Sequence, residues 1–269
     1  MAVVEVERSG SITLIRMNRP ERLNALGGEL RAALGEAWRN FRDDPDQQVA
    51  IFTGTGKGFC AGEDMKESIE RGAPGFSGRI EDPYSAGTLD KPVIAAINGY
   101  AMGAGFQLVE RADLRVAAAG AVFEVSEAKR WLLGGFQHGF GENLPWAIVK
   151  EMALGFRFSA QRLYEVGFLN RLVEDDELLP TAYEMAEHLL SLPPASLVNT
   201  LHITRLLRPR VPANFEDLAE RLRSHGAQED LMESRRAFAE KRTPDWKGWD
   251  DPADRHNLPQ LEPAEGEGR

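Results

Sequence analysis

Three times along this 269-residue chain a short, β-branched apolar run gives way to turn-forming residues and then to helical text. The runs are Ile12 to Met17, Val49 to Phe52 and Val93 to Ile97, and a fourth begins near Leu114. Val3 to Val6 precedes the first, so the chain opens as a hairpin that turns at Asn18, Arg19 and Pro20. Leu30, Leu34, Trp38 and Phe41 then recur at helical spacing, and Asp43, Asp44 and Pro45 end that helix. After the second run comes a glycine-rich turn (54–62) and a short polar helix from Asp64 to about Arg71. After the third comes another (99–105) and a helix to Arg111. Buried strands that each feed a turn and a helix predict a parallel or mixed α/β sheet with right-handed crossovers, and ligands collect at such turns.

A composition of 42% hydrophobic and 28% charged residues suits a globular protein with a sizeable core. Cys60 is the single cysteine, too few for an internal disulfide, which fits a reducing, cytoplasmic compartment. With 32 basic against 42 acidic residues the net charge is −10, a field that repels phosphate backbones and anionic lipid. Neither nucleic acid nor membrane is expected as a partner. MAVVEVERSG lacks the basic and long apolar text of an export signal, and the apolar run Val93 to Phe106 is broken by Asn98 and three glycines. The stretch 72–90, rich in Gly, Pro and Ser, reads as a surface loop or a lid. Beyond Asn143 only Asn170 to Val173 carries a strand signal, and a long helix is expected from about Asn214 to Lys241. The Pro- and Glu-rich stretch 250–269 reads as a frayed tail.

The two glycine turns are where chemistry would sit. Phe59-Cys60-Ala61-Gly62-Glu63-Asp64-Met65-Lys66 and Asn98-Gly99-Tyr100-Ala101-Met102-Gly103-Ala104-Gly105-Phe106-Gln107 each follow a strand and open a helix. Backbone N–H groups converge in that geometry and can hold an anion; on the alternative reading the glycines serve only to let the chain turn tightly. Nucleotide-loop readings fit worse: Gly54-Thr55-Gly56-Lys57-Gly58 lacks a Gly-Lys-Ser/Thr ending, and Leu108 stands where a dinucleotide fingerprint needs glycine. Cys60 has no histidine near it in sequence and reads as core filling. His138, His188, His202, His225 and His256 show no ligand spacing, so no metal is expected. His138 stands out only for its company, Phe136, Gln137 and Phe140.

Seven segments, in order, resemble the enoyl-CoA hydratase/isomerase (crotonase) superfamily. They are Asn18 to Leu26, the two glycine turns, Ala112 to Ala117, Phe123 to Lys129, Ser159 to Gly167, and Phe238 to Gly248. The resemblance implies an α/β fold, a crotonase-like (ClpP/crotonase) spiral of ββα turns with a C-terminal helical trimerisation region. In those terms residues 1–195 form the spiral core with the CoA and oxyanion site, 196–249 the oligomerisation helices and 250–269 the tail. The assembly it implies is a homotrimer or homohexamer. No tightly bound cofactor is implied; coenzyme A enters as part of the acyl-CoA substrate.

The resemblance also assigns roles. The backbone N–H groups of Glu63 and Ala104 become an oxyanion hole for the thioester carbonyl and its enolate. Glu127 and Gln107 take the two positions where hydratases of the family carry glutamates. Gln107 departs from that pattern, because an amide orients a water or a carbonyl but accepts no proton. One carboxylate can move a proton between two carbons, so isomerase chemistry is favoured, with hydration by Glu127 alone still open and Glu124 and Glu142 as substitute acids that otherwise read as surface. Arg22 and Lys66 are expected at the CoA phosphates. Leu23, Ala25, Ala61 and Met65 are expected along pantetheine and adenine, Gly103 among the substrate- and CoA-binding residues, and Asp64 at the start of the following helix. Trp131, Phe136, Phe140 and Trp146 read as core or as a bulky acyl pocket. Phe238 and Lys241 read as reaching a neighbouring subunit's cofactor or, for Phe238, as helix packing. Thioester hydrolysis, decarboxylation or a catalytically lost CoA-binding scaffold are the alternatives on the same frame.

Overall fold

The computed structural model describes residues 2–72, 81–133 and 135–262. Its contacts group the chain into two units, each drawn from three separate stretches. The first takes Met1–Asp64, Gly75–Glu124 and Arg157–Arg208, and the second Met65–Pro74, Val125–Phe156 and Pro209–Arg269.

The first unit opens with the expected antiparallel hairpin, β1 (Val4–Ser9) and β2 (Ile12–Met17), followed by α1 (Gly28–Asp43). The chain then repeats itself. β3 (Val49–Gly54) and β4 (Gly58–Cys60) lead to α2 (Met65–Arg71), and β5 (Val93–Ile97) and β6 (Tyr100–Met102) lead to α3 (Ala104–Arg111). A last pair, β7 (Leu114–Ala118) and β8 (Val122–Glu124), leads to a 3-10 turn at Ala128–Arg130. Further on come α4 (Trp146–Ala153), β9 (Arg157–Ser159), α5 (Ala160–Glu165) and β10 (Arg171–Val173). In each repeat the first strand joins a six-stranded sheet, ordered β1-β2-β3-β5-β7-β10, and the second joins a four-stranded sheet, ordered β4-β6-β8-β9. This is the ββα turn that the resemblance implies. All pairings from β2 to β10 in the large sheet are parallel, as the strand–turn–helix pattern requires. β4, β6, β8 and β9 were not expected; each has only three residues, too few to show alternation.

Every residue of β3 and β5 is buried, which is why these strands read as unbroken apolar runs rather than alternating ones. Ile51 and Ile94 face a cluster completed by Leu178, Ala182 and Ala186 of α6 (Leu178–Leu190) and Leu197 of α7 (Pro194–Leu207). Phe52 points to the opposite face, where Trp38 of α1 meets it edge-on at 5.2 Å and stacks on Tyr84 at 4.4 Å. Tyr84 lies in the stretch expected to be a surface loop or lid. Residues 73–80 of that stretch fall outside the described residues, but Tyr84 is core, and its buried hydroxyl donates to the carbonyl of Leu108.

In the second unit the helix expected from 214 to 241 is two helices, α8 (Ala213–Leu222) and α9 (Glu229–Glu240). Gly226 breaks it: its φ of +117° is outside the reach of side-chain-bearing residues, and the Ser224 hydroxyl closes α8 on the Arg221 carbonyl. Arg235, fully buried on α9, donates to Ser68 Oγ of α2 at 3.0 Å and to the Leu231 carbonyl. The expected frayed tail is in part ordered, since 252–256 forms a 3-10 turn whose Asp254 carbonyl lies 2.9 Å from His225 Nε2; residues 263–269 are outside the described residues. Among the described residues no helix is long and apolar enough to cross a membrane.

Candidate active site

The segment from Arg19 to Leu26 is a scaffold for the first glycine turn. Pro20–Arg22 forms a 3-10 turn that leaves Leu23 and Asn24 at φ +49° and +56°, and asparagine tolerates that conformation better than most residues. The buried Asn24 amide donates to the carbonyls of Thr55 and Gly58 and accepts from the Arg19 N–H. Backbone bonds then zip the two segments together: Ala61 N–H to Leu23 O, Leu26 N–H to Gly62 O and Asp64 N–H to Leu26 O. Asp64, 4% exposed, pairs with Arg19 at 3.2 Å and lies 4.0 Å from Arg22. Asp64 is therefore an anchor for the two arginines, and Arg22 is the more exposed of the pair. Lys66 is exposed on α2, which it opens with Met65; both belong to the second unit.

The two glycine turns of the first unit are pressed against one another. β4 and β6 run parallel, with Gly58 opposite Tyr100 and Cys60 opposite Ala101, so both turns leave the same end of the small sheet. A Cβ on Gly62 would lie 2.7 Å from the Met102 carbonyl and 3.4 Å from the Ala104 nitrogen, and one on Gly105 would lie 2.2 Å from the Cys60 carbonyl. Glycine is the only residue that permits this approach. Among the described residues no peptide is cis, so the carbonyl that Gly62 gives to Leu26 and the N–H of Glu63 point in opposite directions. Ala104 is the first residue of α3, and first-turn amides have no acceptor within their own helix. Gly103, whose own N–H donates to the Glu124 carbonyl, caps that helix with no side chain in the way. Gln107 is exposed on α3, three residues on from Ala104 and so on the same face.

Glu124 corrects a surface reading: it is buried, and its carboxylate accepts from Arg157 Nε at 2.8 Å across the β8–β9 pair. Glu142 is half-buried. Cys60 is fully buried, and burial pushes its thiol up to about 12. A thiol held neutral in this way offers little of the thiolate that alkylating reagents attack. Alkylation with iodoacetamide at mild alkaline pH is expected to leave Cys60 unmodified in the folded protein and to complete within minutes in denaturant; fast labelling of the folded protein would contradict its place in the core.

In the second unit Glu127 leads into the Ala128–Arg130 turn, which Trp131 closes at φ +56°. Glu127 is 8% exposed. Beside it stands a histidine that the sequence marked only by its neighbours: His138, 1% exposed, places Nε2 3.6 Å from Glu127 Oε1. His138 follows a 3-10 turn, Gly135–Gln137, that is packed on α4, because a Cβ on Gly135 would lie 2.9 Å from the Ala153 carbonyl and one on Gly139 3.0 Å from Met152 Sδ. The reading of Phe140 and Trp146 as core is overturned, as they are 37% and 64% exposed. Trp131 and Phe136 are half-buried. Phe238 is exposed with the Arg130 guanidinium 4.3 Å over its ring. Among the described residues no group of three or more His, Cys, Asp or Glu could hold a metal ion.

The enoyl-CoA hydratase/isomerase family matches residues 7–249. The chain belongs to that family. A carnitinyl-CoA dehydratase of Salmonella typhi is 39% identical over 262 residues, covering 91% of this chain and 98% of the relative. Among solved structures, carnitinyl-CoA hydratase from Mycobacterium avium is 32% identical with a TM-score of 0.78, covering 92% of this chain and 99% of the other. Enoyl-CoA hydratase from Mycobacterium tuberculosis is 34% identical with a TM-score of 0.70, covering 92% and 100%. The fold is the crotonase fold, and the protein is an acyl-CoA enzyme of the hydratase/isomerase type that acts on a coenzyme A thioester.

Proposed function

We propose that this enoyl-CoA hydratase/isomerase family member catalyses the reversible loss of water from a 3-hydroxyacyl-CoA, with carnitinyl-CoA as the leading substrate. The observation that carries the reading is the 39% identity to carnitinyl-CoA dehydratase over nearly the full length of both chains. The chemistry follows from the residues. The Glu63 and Ala104 N–H groups polarise the thioester carbonyl and hold the enolate-like anion, each donor being worth about 2.7–4 kcal/mol of barrier. Glu127 removes the proton from the α-carbon, the bond to the 3-hydroxyl breaks, and the same carboxyl delivers that proton to the departing oxygen as water. One carboxylate suffices because the proton taken is the proton returned. Arg22 and Lys66 meet the CoA phosphates, with Asp64 fixing Arg22. The backbones of Leu23, Ala25, Ala61, Met65 and Gly103 line pantetheine and adenine.

Gln107 favours a second reading, isomerisation, in which Glu127 carries the proton between the α- and γ-carbons and no water is needed. Mass spectrometry separates the two. Carnitinyl-CoA, crotonyl-CoA and 3-hexenoyl-CoA are incubated with enzyme in heavy-oxygen water and, separately, in deuterium oxide. Heavy oxygen is expected in the 3-hydroxyl group; double-bond migration with deuterium uptake and no heavy oxygen would establish isomerisation instead. The exposed α7 residues Ile203, Leu206 and Leu207 support a homotrimer or homohexamer, and the single buried cysteine supports a cytoplasmic setting.

A further inference from the structure

The structure assigns His138 a task that no feature of the hydratase motif announces: it is a positioning residue for Glu127. Other charged groups at least partly withdrawn from solvent have a structural occupation, holding backbone carbonyls or joining strands. Arg205 joins Asp113 to the carbonyls of Leu89 and Lys91, Arg115 gathers the carbonyls of Val109, Glu110, Ala112 and Phe168, and Arg157 ties Glu124 across two strands. The Glu127–His138 pair is different. Its two members are 11 positions apart on consecutive turns, both 8% exposed or less, and they meet through their functional atoms, Oε1 and Nε2, at 3.6 Å.

Burying an imidazole costs about 1–3 kcal/mol unless it gains a polar partner, so solubility does not explain a histidine here. Packing does explain why it stays. Gly135 and Gly139 bring its loop onto α4 with no room for a Cβ, which fixes the direction from which the ring meets the carboxylate. At 3.6 Å the pair is within charge-pair range and longer than a hydrogen bond, and catalytic contacts of this kind tighten when substrate binds. A proton on Nε2 directed at Oε1 fixes the plane of the carboxylate, and with it the oxygen that meets the α-proton. The inference rests on Glu127 being the acid/base. An enzyme with glutamine at 107 has one carboxylate to aim, so the aim of that one carries more of the rate.

Two substitutions of like polarity separate positioning from mere filling. The side-chain amide of Gln reaches about as far as Nε2, whereas that of Asn stops near Nδ1. His138→Asn is expected to lower kcat by about 10- to 100-fold with KM nearly unchanged, the size of effect that a misplaced reacting group produces. His138→Gln is expected to recover roughly 10-fold of that loss. In the Glu127→Gln background, His138→Asn is expected to cause no further loss, because the group it aims is gone. Rates are read on whichever of carnitinyl-CoA, crotonyl-CoA or 3-hexenoyl-CoA the unmodified enzyme turns over, with deuterium uptake at the α-carbon as a second measure. Equal kcat in His138→Asn and the unmodified enzyme overturns the inference. So does an Asn loss that Gln does not recover, or one that persists undiminished beside Glu127→Gln. If Glu127→Gln is itself fully active, or no acyl-CoA is turned over, the functional reading falls as well; if Glu127→Gln is inactive and both His138 variants are normal, only the role of His138 falls.

Discussion

Replacing Glu127 by Gln is expected to lower kcat by about 10²- to 10⁴-fold while leaving the affinity for CoA within a factor of about 3. The exchange swaps one oxygen for an NH₂ of nearly the same size, so packing around this 8%-exposed side chain is kept. What is lost is the ability to take up a proton and give it back. Steady-state kinetics on carnitinyl-CoA, with calorimetric titration of CoA, would measure both parts. A variant that keeps its turnover would show that the chain binds CoA thioesters without using Glu127, and the reading of a scaffold that has lost catalysis would then replace the present one. A variant that loses CoA binding together with turnover would place Glu127 in the binding surface instead.

The second large effect is expected at Gly105. Its Cβ would stand 2.2 Å from the Cys60 carbonyl and 2.9 Å from the Cys60 carbonyl carbon, so Gly105→Ala can be accommodated only if α3 moves away from β4. Both contacts are backbone, and no side chain can swing aside. Ala104 precedes Gly105 directly, so its N–H moves too. The expected result is a fall in kcat of about 10²- to 10³-fold, the cost of one misplaced oxyanion donor, with a loss of stability of about 1–3 kcal/mol from overpacking. In a domain of this size that corresponds to roughly 2–4 °C of melting temperature per kcal/mol. Gly120→Ala is the control, since a Cβ there meets nothing within 4 Å. If Gly105→Ala has the kinetics and melting temperature of Gly120→Ala, the two glycine turns are not held in the contact described.

The sequence made β1, β2, β3, β5, β7, α1, α2 and the run into α3 legible through apolar runs or helical spacing, and β10 through the short signal at Asn170 to Val173. The glycine turns were legible as turns, but not as carrying β4 and β6 within them. A three-residue strand has no alternation to display, and its place depends on pairing with residues about 40 positions away, as Cys60 does with Ala101. The single helix expected across 214–241 is divided at Gly226, whose φ of +117° breaks it, and the apolar spacing on either side does not show that break. At the site, Glu127 and the two turns came from the order of motifs. The burial of Glu124 did not, since it depends on Arg157, 33 positions on. His138 was noticed for its aromatic neighbours, whereas its significance lies in Glu127, which only the folded chain brings to it.

The way the two units share the chain has a bearing on how the protein is made. Neither is a continuous stretch: the first needs residues on to Arg208 before its last strand and covering helices exist, and the second needs chain from beyond Pro209 to set α9 against α2. A ribosome emitting this protein therefore releases β2, β3 and β5, all largely apolar, well before α6 and α7 are available to cover them. Chains dominated by such distant pairings fold slowly and expose sticky strands meanwhile. The close-packed glycine turns are thus obtained at the expense of a vulnerable interval during synthesis, one that closes only when most of the polypeptide has emerged.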